Sequence, residues 1–599
     1  MFKRLNKYFC FSLFLFILTA CGGGGSGGGA PDTPLPSDES SDTNNGDQSG
    51  GDQSGSGSGS GDQNDNGDET TPPVIEPPAL PDERAARRFL MRATFGPVKN
   101  DIDYVMTHGY EAWIDKQAIL PASLHFDLFE TMMTEDGLSP NLNCFMPLAE
   151  QRIRMDAWWQ RALKAEDQLR QRLAFALSQI IVISEKNADL LCRTRGVTNF
   201  YDILVANSLG NYRDILQQTT LHPAMGYYLS SIRNRREATN NNILPDENFA
   251  REVMQLFTIG LKELNDNGSV KLDSANNQAE TYNQEMIMTL ARVFTGLNYG
   301  DSTIAISEKR TLNSDIIPMK GWIFFHDNEA KALFNGTLLP KFGFPLDEVT
   351  ATIDNLFEHH NIAPFISKRL IQRFVSSNPS DKYVERVAQA FNDNGHGKKG
   401  DMIAIIKAIL LDEEALNSHS DGQSFGKVKE PLLMFSALWR AYDATGENNR
   451  FRFSNSDTIS GQKPLSAHSV FNFYSPTYSP AGTIRDHNLF SPELQILTAQ
   501  SITKTTNALE EYANSAILNS EERNTISVDT SSLLPLASTP LLLAEKLNMD
   551  LMAGSMSDEM KQVLIDFIET TPYENNDGTL RVNEALFLVL SSPEFAIQR

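Results

Sequence analysis

Residues 150–184 constrain the fold of this chain more than any other stretch. Trp158, Trp159, Leu163, Leu169, Leu173, Ala176, Leu177, Ile180 and Ile181 recur there at helical spacing. The second half is apolar nearly all round. A helix without a polar face cannot lie on a surface, so it belongs at the centre of a core wrapped by other helices. The expected fold is therefore mainly α, a large multi-helix globular domain.

The neighbouring pattern supplies the wrapping. Residues 83–94 carry Ala, Arg and Leu at helical spacing and are stopped by Gly96-Pro97. Residues 97–118, 199–220, 245–261, 284–296, 346–359, 363–375, 382–391 and 402–411 read as further helices. Residues 428–599 are again mostly helical, around a Pro-, Tyr- and Ser-rich loop at 461–488. Residues 418–426 form a polar break. Residues 297–343 differ: Asn, Gly, Ser and β-branched residues dominate, and Gly321-Trp322-Ile323-Phe324-Phe325 reads as a short strand. A small irregular or hairpin insertion is expected there.

The folded domain is expected to begin only at Asp82. Residues 22–81 are Gly, Ser, Asp, Gln and Pro without Lys or Arg, a composition that buries no apolar surface and is expected to form an extended, disordered tether. Before it, Lys3, Arg4 and Lys7 precede an apolar run too short for a permanent bilayer span, as in a secretory signal over residues 1–20. Leu18-Thr19-Ala20-Cys21 resembles a bacterial lipobox. The resemblance implies cleavage before Cys21, lipidation (palmitate among the acyl groups) on that cysteine, and attachment to a membrane. Gly22 at the next position implies outer-membrane delivery. Cys144 and Cys192 remain for an oxidising compartment, either as a disulfide or as two buried thiols.

Several segments together resemble the DUF1800 family of exported bacterial proteins. They include Arg88-Phe89-Leu90-Met91-Arg92-Ala93-Thr94-Phe95-Gly96, Leu169-Arg170-Gln171-Arg172-Leu173-Ala174-Phe175-Ala176-Leu177-Ser178 and Leu221-His222-Pro223-Ala224-Met225. Pro245-Asp246-Glu247-Asn248-Phe249-Ala250-Arg251-Glu252, Ala291-Arg292-Val293-Phe294-Thr295-Gly296, Ser469-Val470-Phe471-Asn472-Phe473-Tyr474 and Ser592-Pro593-Glu594-Phe595 follow in order. The resemblance implies a helical exported protein of unknown activity. It also implies a member of a second exported family, DUF1501, as a partner or pathway neighbour.

Residues 245–261 hold the main candidates for chemistry. Asp246 stands where a helix N-cap is expected. Glu247 and Arg251 share one face, and Glu252 lies beside Arg251. The group reads either as a cation site or acid–base pair, or as a cap and ion pairs that lock a helix. His222 before Pro223 reads as a general base or as a bond to the last carbonyls of a helix. His326 and Asp327, followed by Lys331 in the insertion, read as ligands for one divalent metal or as structure. Asn472 and Tyr474 lie in an aromatic loop that either stacks on sugars or peptides, or folds into the core on Phe471 and Phe473.

The formal charge is −24. Without the signal bases and the tether acids, the part from Asp82 onward keeps about −16, which disfavours nucleic acid as a partner. There is no haem or zinc-finger spacing, no phosphate loop for a nucleotide, no His-Glu-x-x-His and no Gly-x-Ser-x-Gly. The expected function is a lipid-anchored cell-envelope binding or assembly module for another exported protein or an envelope polymer. The rival expectation is an envelope hydrolase built on residues 245–261.

Overall fold

The helix Gln168–Leu177 lies with every residue buried in a computed structural model that describes residues 80–238, 243–303, 310–417, 425–514, 526–573 and 578–599. The signal, Cys21 and nearly all of the tether lie outside the described residues, as does most of the polar break. Around the central helix pack Glu83–Ala93, Tyr110–Ile119, Pro147–Lys164, Thr194–Asn207 and Ile362–Phe374. The mainly helical architecture expected from periodicity is the one observed.

Several long expected helices are divided. Residues 150–184 form Pro147–Lys164 and then Gln168–Leu177. At the break the Gln168 amide donates to the carbonyls of Ala162 and Ala165, at 3.1 and 2.8 Å, closing orphan acceptors at the first helix's end. Asp167 accepts from Ser123 N at 2.9 Å and restarts the chain in a new direction. Residues 97–118 divide at Gly109, whose φ of +87° suits glycine. The expected helix at 245–261 contracts to Asn248–Gln255. Apolar periodicity runs through such breaks because both halves face the same core.

Edge-to-face aromatic packing joins the two halves of the chain. Trp159 meets Trp439 at 4.9 Å between ring centroids, and Trp439 meets Tyr512 at 5.1 Å. Such pairs add about 0.5–1.5 kcal/mol each beyond the area they bury. Strands contribute only two-residue antiparallel pairs: Leu297–Asn298 with Lys320–Gly321, Lys331–Ala332 with Leu338–Leu339, and Lys427–Val428 with Ile597–Gln598. The last pair brings the C-terminal segment back to the core.

The expected strand at 321–325 is a turn instead. Only Gly321 pairs; Trp322 N donates to Gly296 O, and Phe325 N closes the turn on Trp322 O at 3.0 Å. The turn delivers His326 inward, which a continuing strand would not. Cys144 and Cys192 are joined as a disulfide with Cα atoms 5.0 Å apart. Among the described residues, no helix is long and apolar enough to cross a membrane.

Candidate functional site

The helix Asn248–Gln255 sorts its charges differently from the expected cluster. Asp246 makes a side-chain bond to Asn248 N at 2.9 Å, while Glu247 occupies the cap position without a capping side-chain bond. Arg251 turns to Glu247 at 3.0 Å, and the Gln284 amide donates to the same carboxylate at 2.9 Å. Glu252 therefore lacks the arginine clamp expected for acid–base work. It is buried, one carboxylate oxygen has no partner, and burial pushes its pKa up against the opposing pull of Arg251. Its charge helps raise Tyr228 and Tyr282, both to about 12 and chiefly through their own burial.

His222 caps a helix rather than ending one. Its Nδ1 accepts from Ala224 N at 3.1 Å at the start of Pro223–Tyr228, and Nε2 donates to Asn199 Oδ1 at 3.2 Å. Burial pushes its pKa down to about 3. The ring is neutral with both nitrogens engaged, which leaves no lone pair for a substrate proton or a metal. The bond to preceding carbonyls expected of this side chain is replaced by a bond to the next helix, because Pro223 starts that helix at once.

His326 and Asp327 belong to a buried ionic nest. The His326 Nδ1 faces Thr295 O at 2.9 Å, and Nε2 faces Glu348 Oε2 at 3.0 Å. Lys331, fully buried, reaches Glu348 at 2.8 Å and donates to the backbone oxygens of Asp327 and Glu329. Asp327 takes Arg292 at 2.9 Å. Burial would raise the Asp327 pKa, but the Arg292 bond, the Glu329 backbone and Lys331 hold it below the ordinary value. The ammonium and guanidinium already supply the positive charge, so a divalent ion would have to displace Lys331. Among the described residues, no three His, Cys, Asp or Glu side chains gather as metal ligands. The partner sets of His222, Glu252 and the nest do not overlap.

The segments around the nest turn large apolar side chains outward. Phe324, Phe342 and Phe344 are 78, 69 and 65% exposed, and Ile323, Leu338 and Leu346 are exposed beside them. These segments are neighbours: a methyl group at Gly321 would overlap Pro345, and Phe342 N donates to Asn328 O at 2.9 Å. Large apolar side chains exposed together on neighbouring segments are a feature of interaction sites. Glu348 and the Phe342-Gly343-Phe344 pair were not singled out in the sequence. Aromatics flanking a glycine directly before a helix-starting proline were the available signal.

The loop at 461–488 is oriented opposite to the expected core packing. Asn472 and Tyr474 point inward and Phe471 is exposed. Asn472 donates to Gln179 Oε1 at 3.0 Å, and the Arg373 guanidinium lies 4.6 Å above the Tyr474 ring. Gln179 in turn donates to Glu430 at 2.8 Å, beside Lys427, Arg172 and Glu493. Burial works against the Glu430 charge, yet Lys427, Arg373 and Arg172 outweigh it and hold the carboxyl below its ordinary pKa. Distant segments thus meet in a buried, charge-paired knot, in which Glu430 Oε1, Glu493 Oε2 and two Arg172 nitrogens still lack hydrogen-bond partners.

No curated protein and no solved structure matches this chain. The family model described as "Protein of unknown function (DUF1800)" matches residues 88–597, nearly the whole described part. Each of the structural centres above, from Arg172 and Thr295 to Tyr474, falls inside that match, and the chain belongs to the DUF1800 family.

Proposed function

We propose that this chain is a lipid-anchored binding module of the cell envelope, held through Cys21 at the outer membrane, whose partner is another exported protein. The observation that carries the reading is the exposure of Ile323, Phe324, Phe342 and Phe344 on the segments that flank the buried ionic nest. Phenylalanine rings without polar tips suit the apolar face of a protein better than a sugar polymer, which favours tyrosine and tryptophan edges that can hydrogen-bond. A member of the DUF1501 family is the first partner to try. Phe324→Asp with Phe342→Asp is expected to leave the melting temperature unchanged and to weaken capture of that partner at least tenfold. Undiminished capture by the double variant would remove this surface from the reading.

One observation favours the rival hydrolase: Glu252 is a buried acid with an unpartnered oxygen beside two tyrosines. Raised carboxyl pKa values are what a general acid requires. If Glu252→Gln keeps its fold and stability but loses an envelope phenotype that the ring variants retain, the enzyme reading gains. If the phenotype persists, Glu252 is part of the packing.

A further inference from the structure

The molecule carries a strong negative charge, yet three of the six residues that line one cleft are arginines. Arg84 and Arg88 project from the first helix, Glu83–Ala93, four residues apart on one face, and Arg599 approaches from the C-terminal segment. With Asp82, Gly554 and Ser555 they line a cleft of about 350 Å³. That volume falls within the range of small-molecule sites, roughly 300–1,000 Å³. A second hollow of about 130 Å³, lined by Ser555, Pro593, Glu594, Ile597 and Arg599, shares two of these residues and extends the first.

These cations lack partners. Among the described residues, Arg84, Arg88 and Arg599 make no hydrogen bond or ion pair. The nearby carboxylates are committed elsewhere. Asp82 accepts from Ala85 N at 2.7 Å as the helix cap. Glu83 and Asp550 take Arg87 at 2.8 and 3.2 Å. Glu594 accepts both the backbone N–H and the hydroxyl of Ser557, at 2.8 and 2.5 Å. One turn deeper, Arg92 is 2% exposed and donates only to the Ala415 carbonyl, leaving Nε and Nη2 without partners. Burial chiefly depresses Arg88, and Arg84 adds to the effect against Asp82 and Tyr110; Arg92 falls to about 10 through burial, with Arg88 adding to it. Like charges at this spacing repel one another, and Asp82 and Tyr110 offset that repulsion at Arg88 without bonding to it.

Gly554 has a role in this geometry. Its φ is +75°, and a side chain there would collide with the Arg84 guanidinium. The absence of a Cβ lets Arg84 lie against the backbone at the cleft's wall.

We propose that the cleft of Arg84, Arg88 and Arg599 binds a multiply charged oxyanion, the phosphate or pyrophosphate group of a small molecule or lipid. Guanidinium forks match the oxygens of such groups two at a time, and two or three arginines favour a dianion over a single carboxylate. The Ser555 hydroxyl lies at the same wall. This site is independent of the ring surface of the insertion and of any partner bound there.

Calorimetric titration of the full chain with inorganic pyrophosphate, against sodium chloride of equal ionic strength, tests the inference. Vesicles containing phosphatidic acid, whose phosphomonoester can carry two negative charges, with phosphatidylcholine vesicles as control, test the lipid source. The expected result is saturable binding of pyrophosphate or of phosphatidic acid vesicles, weakened at least tenfold in R84Q/R88Q. Pyrophosphate binding identifies a soluble phosphate compound as the source, and binding to the anionic vesicles alone identifies a headgroup. R251Q, whose arginine is paired with Glu247, is expected to bind as the unaltered chain does. Melting curves of both variants verify that they are folded. No saturable binding of either probe, or equal binding by R84Q/R88Q, overturns the proposal.

Discussion

The knot around Glu430 and the cleft around Arg88 are both rich in charge and are built in opposite ways. In the knot, Lys427 meets Glu493 at 3.0 Å, and Glu430 answers Lys427, Arg373 and Arg172 while accepting from Gln179 and Gln462. In the cleft, Arg84 and Arg88 face each other's charge and bond to no anion, with only the Asp82 carboxylate, itself bonded to Ala85 N, and Tyr110 opposing the effect at Arg88. The first arrangement closes on itself and is buried. The second is open to water. Burial of an ion is tolerated when its field is cancelled locally, whereas an uncancelled field persists only where solvent or a ligand can answer it. Charge pairing therefore sets the knot apart from the cleft, and Arg92, buried with two nitrogens unpartnered, lies between them.

The largest expected effect comes from breaking the knot. Glu430→Ala leaves Arg172, Arg373 and Lys427 facing one another in a site closed to water. Removing one partner of a buried ion network typically costs about 3–5 kcal/mol. Urea unfolding is expected to show a loss of that size, or a chain that no longer folds. Glu430→Gln, which keeps an acceptor for Gln179 and Gln462, is expected to lose less than alanine. If the alanine variant unfolds at the same urea concentration as the unaltered chain, the knot is not a stabilising centre.

Asp156 is the case between the two: buried like the knot, unanswered like the cleft. Both its oxygens lack partners, and burial, opposed by Arg452, Arg450 and Arg152, raises its pKa from 3.8 to about 6. The folded state therefore holds a proton that the unfolded chain releases earlier. The favourable contribution is complete below about pH 4 and is lost as the pH rises through about 6. The loss is on the order of 3 kcal/mol, at about 1.4 kcal/mol for each tenfold change in proton affinity. Asp156→Asn is expected to be more stable than the unaltered chain at pH 7, by less than that amount, and to flatten the stability curve between pH 4 and 6. A curve of unchanged shape in the variant would mean that another group titrates there.

Much of this was legible in the chain, and the limits follow from physics. Residues 150–184 disclosed the core because apolar periodicity is local: Trp158, Leu169 and Leu173 need no distant partner to be recognised as buried. The break at 165–167 was not legible, because it depends on Ser123 and on the carbonyls the Gln168 side chain finds. Glu247 and Arg251 were read on one face of a helix over 245–261 and do pair, but the helix starts only after Glu247. That Arg251 would leave Glu252, with Gln284 joining it on Glu247, was not legible, since Gln284 comes from another element. His326 and Asp327 were singled out without Glu348, which lies beyond the hairpin and completes the nest. The knot needed Arg172, Arg373, Glu430 and Asn472 to converge from four distant segments. No spacing rule encodes that.

The smallest expected effect sharpens the comparison most, because it asks whether Arg88 belongs to the architecture at all. Arg88→Gln removes a half-buried guanidinium that makes no bond within the protein. Two terms enter. The side chain's methylene stem loses some packing, a small cost. The repulsion with Arg84 and Arg92 disappears, a small gain that counter-ions already reduce. Surface changes free of such partners lie within about 0.5 kcal/mol of neutral. The stability of Arg88→Gln relative to the unaltered chain is expected to fall in that window. The electrostatic part is expected to shrink as salt rises, since the screening length falls from about 30 Å at 0.01 M to about 3 Å at 1 M. Urea unfolding at both salt concentrations measures each term. A loss above about 2 kcal/mol that salt does not alter would place Arg88 with the knot residues, as a structural charge whose partner is the protein itself. A near-neutral variant that gains slightly at low salt leaves the cleft's charge without a structural purpose, the condition expected of a site whose counter-charge arrives from outside the protein.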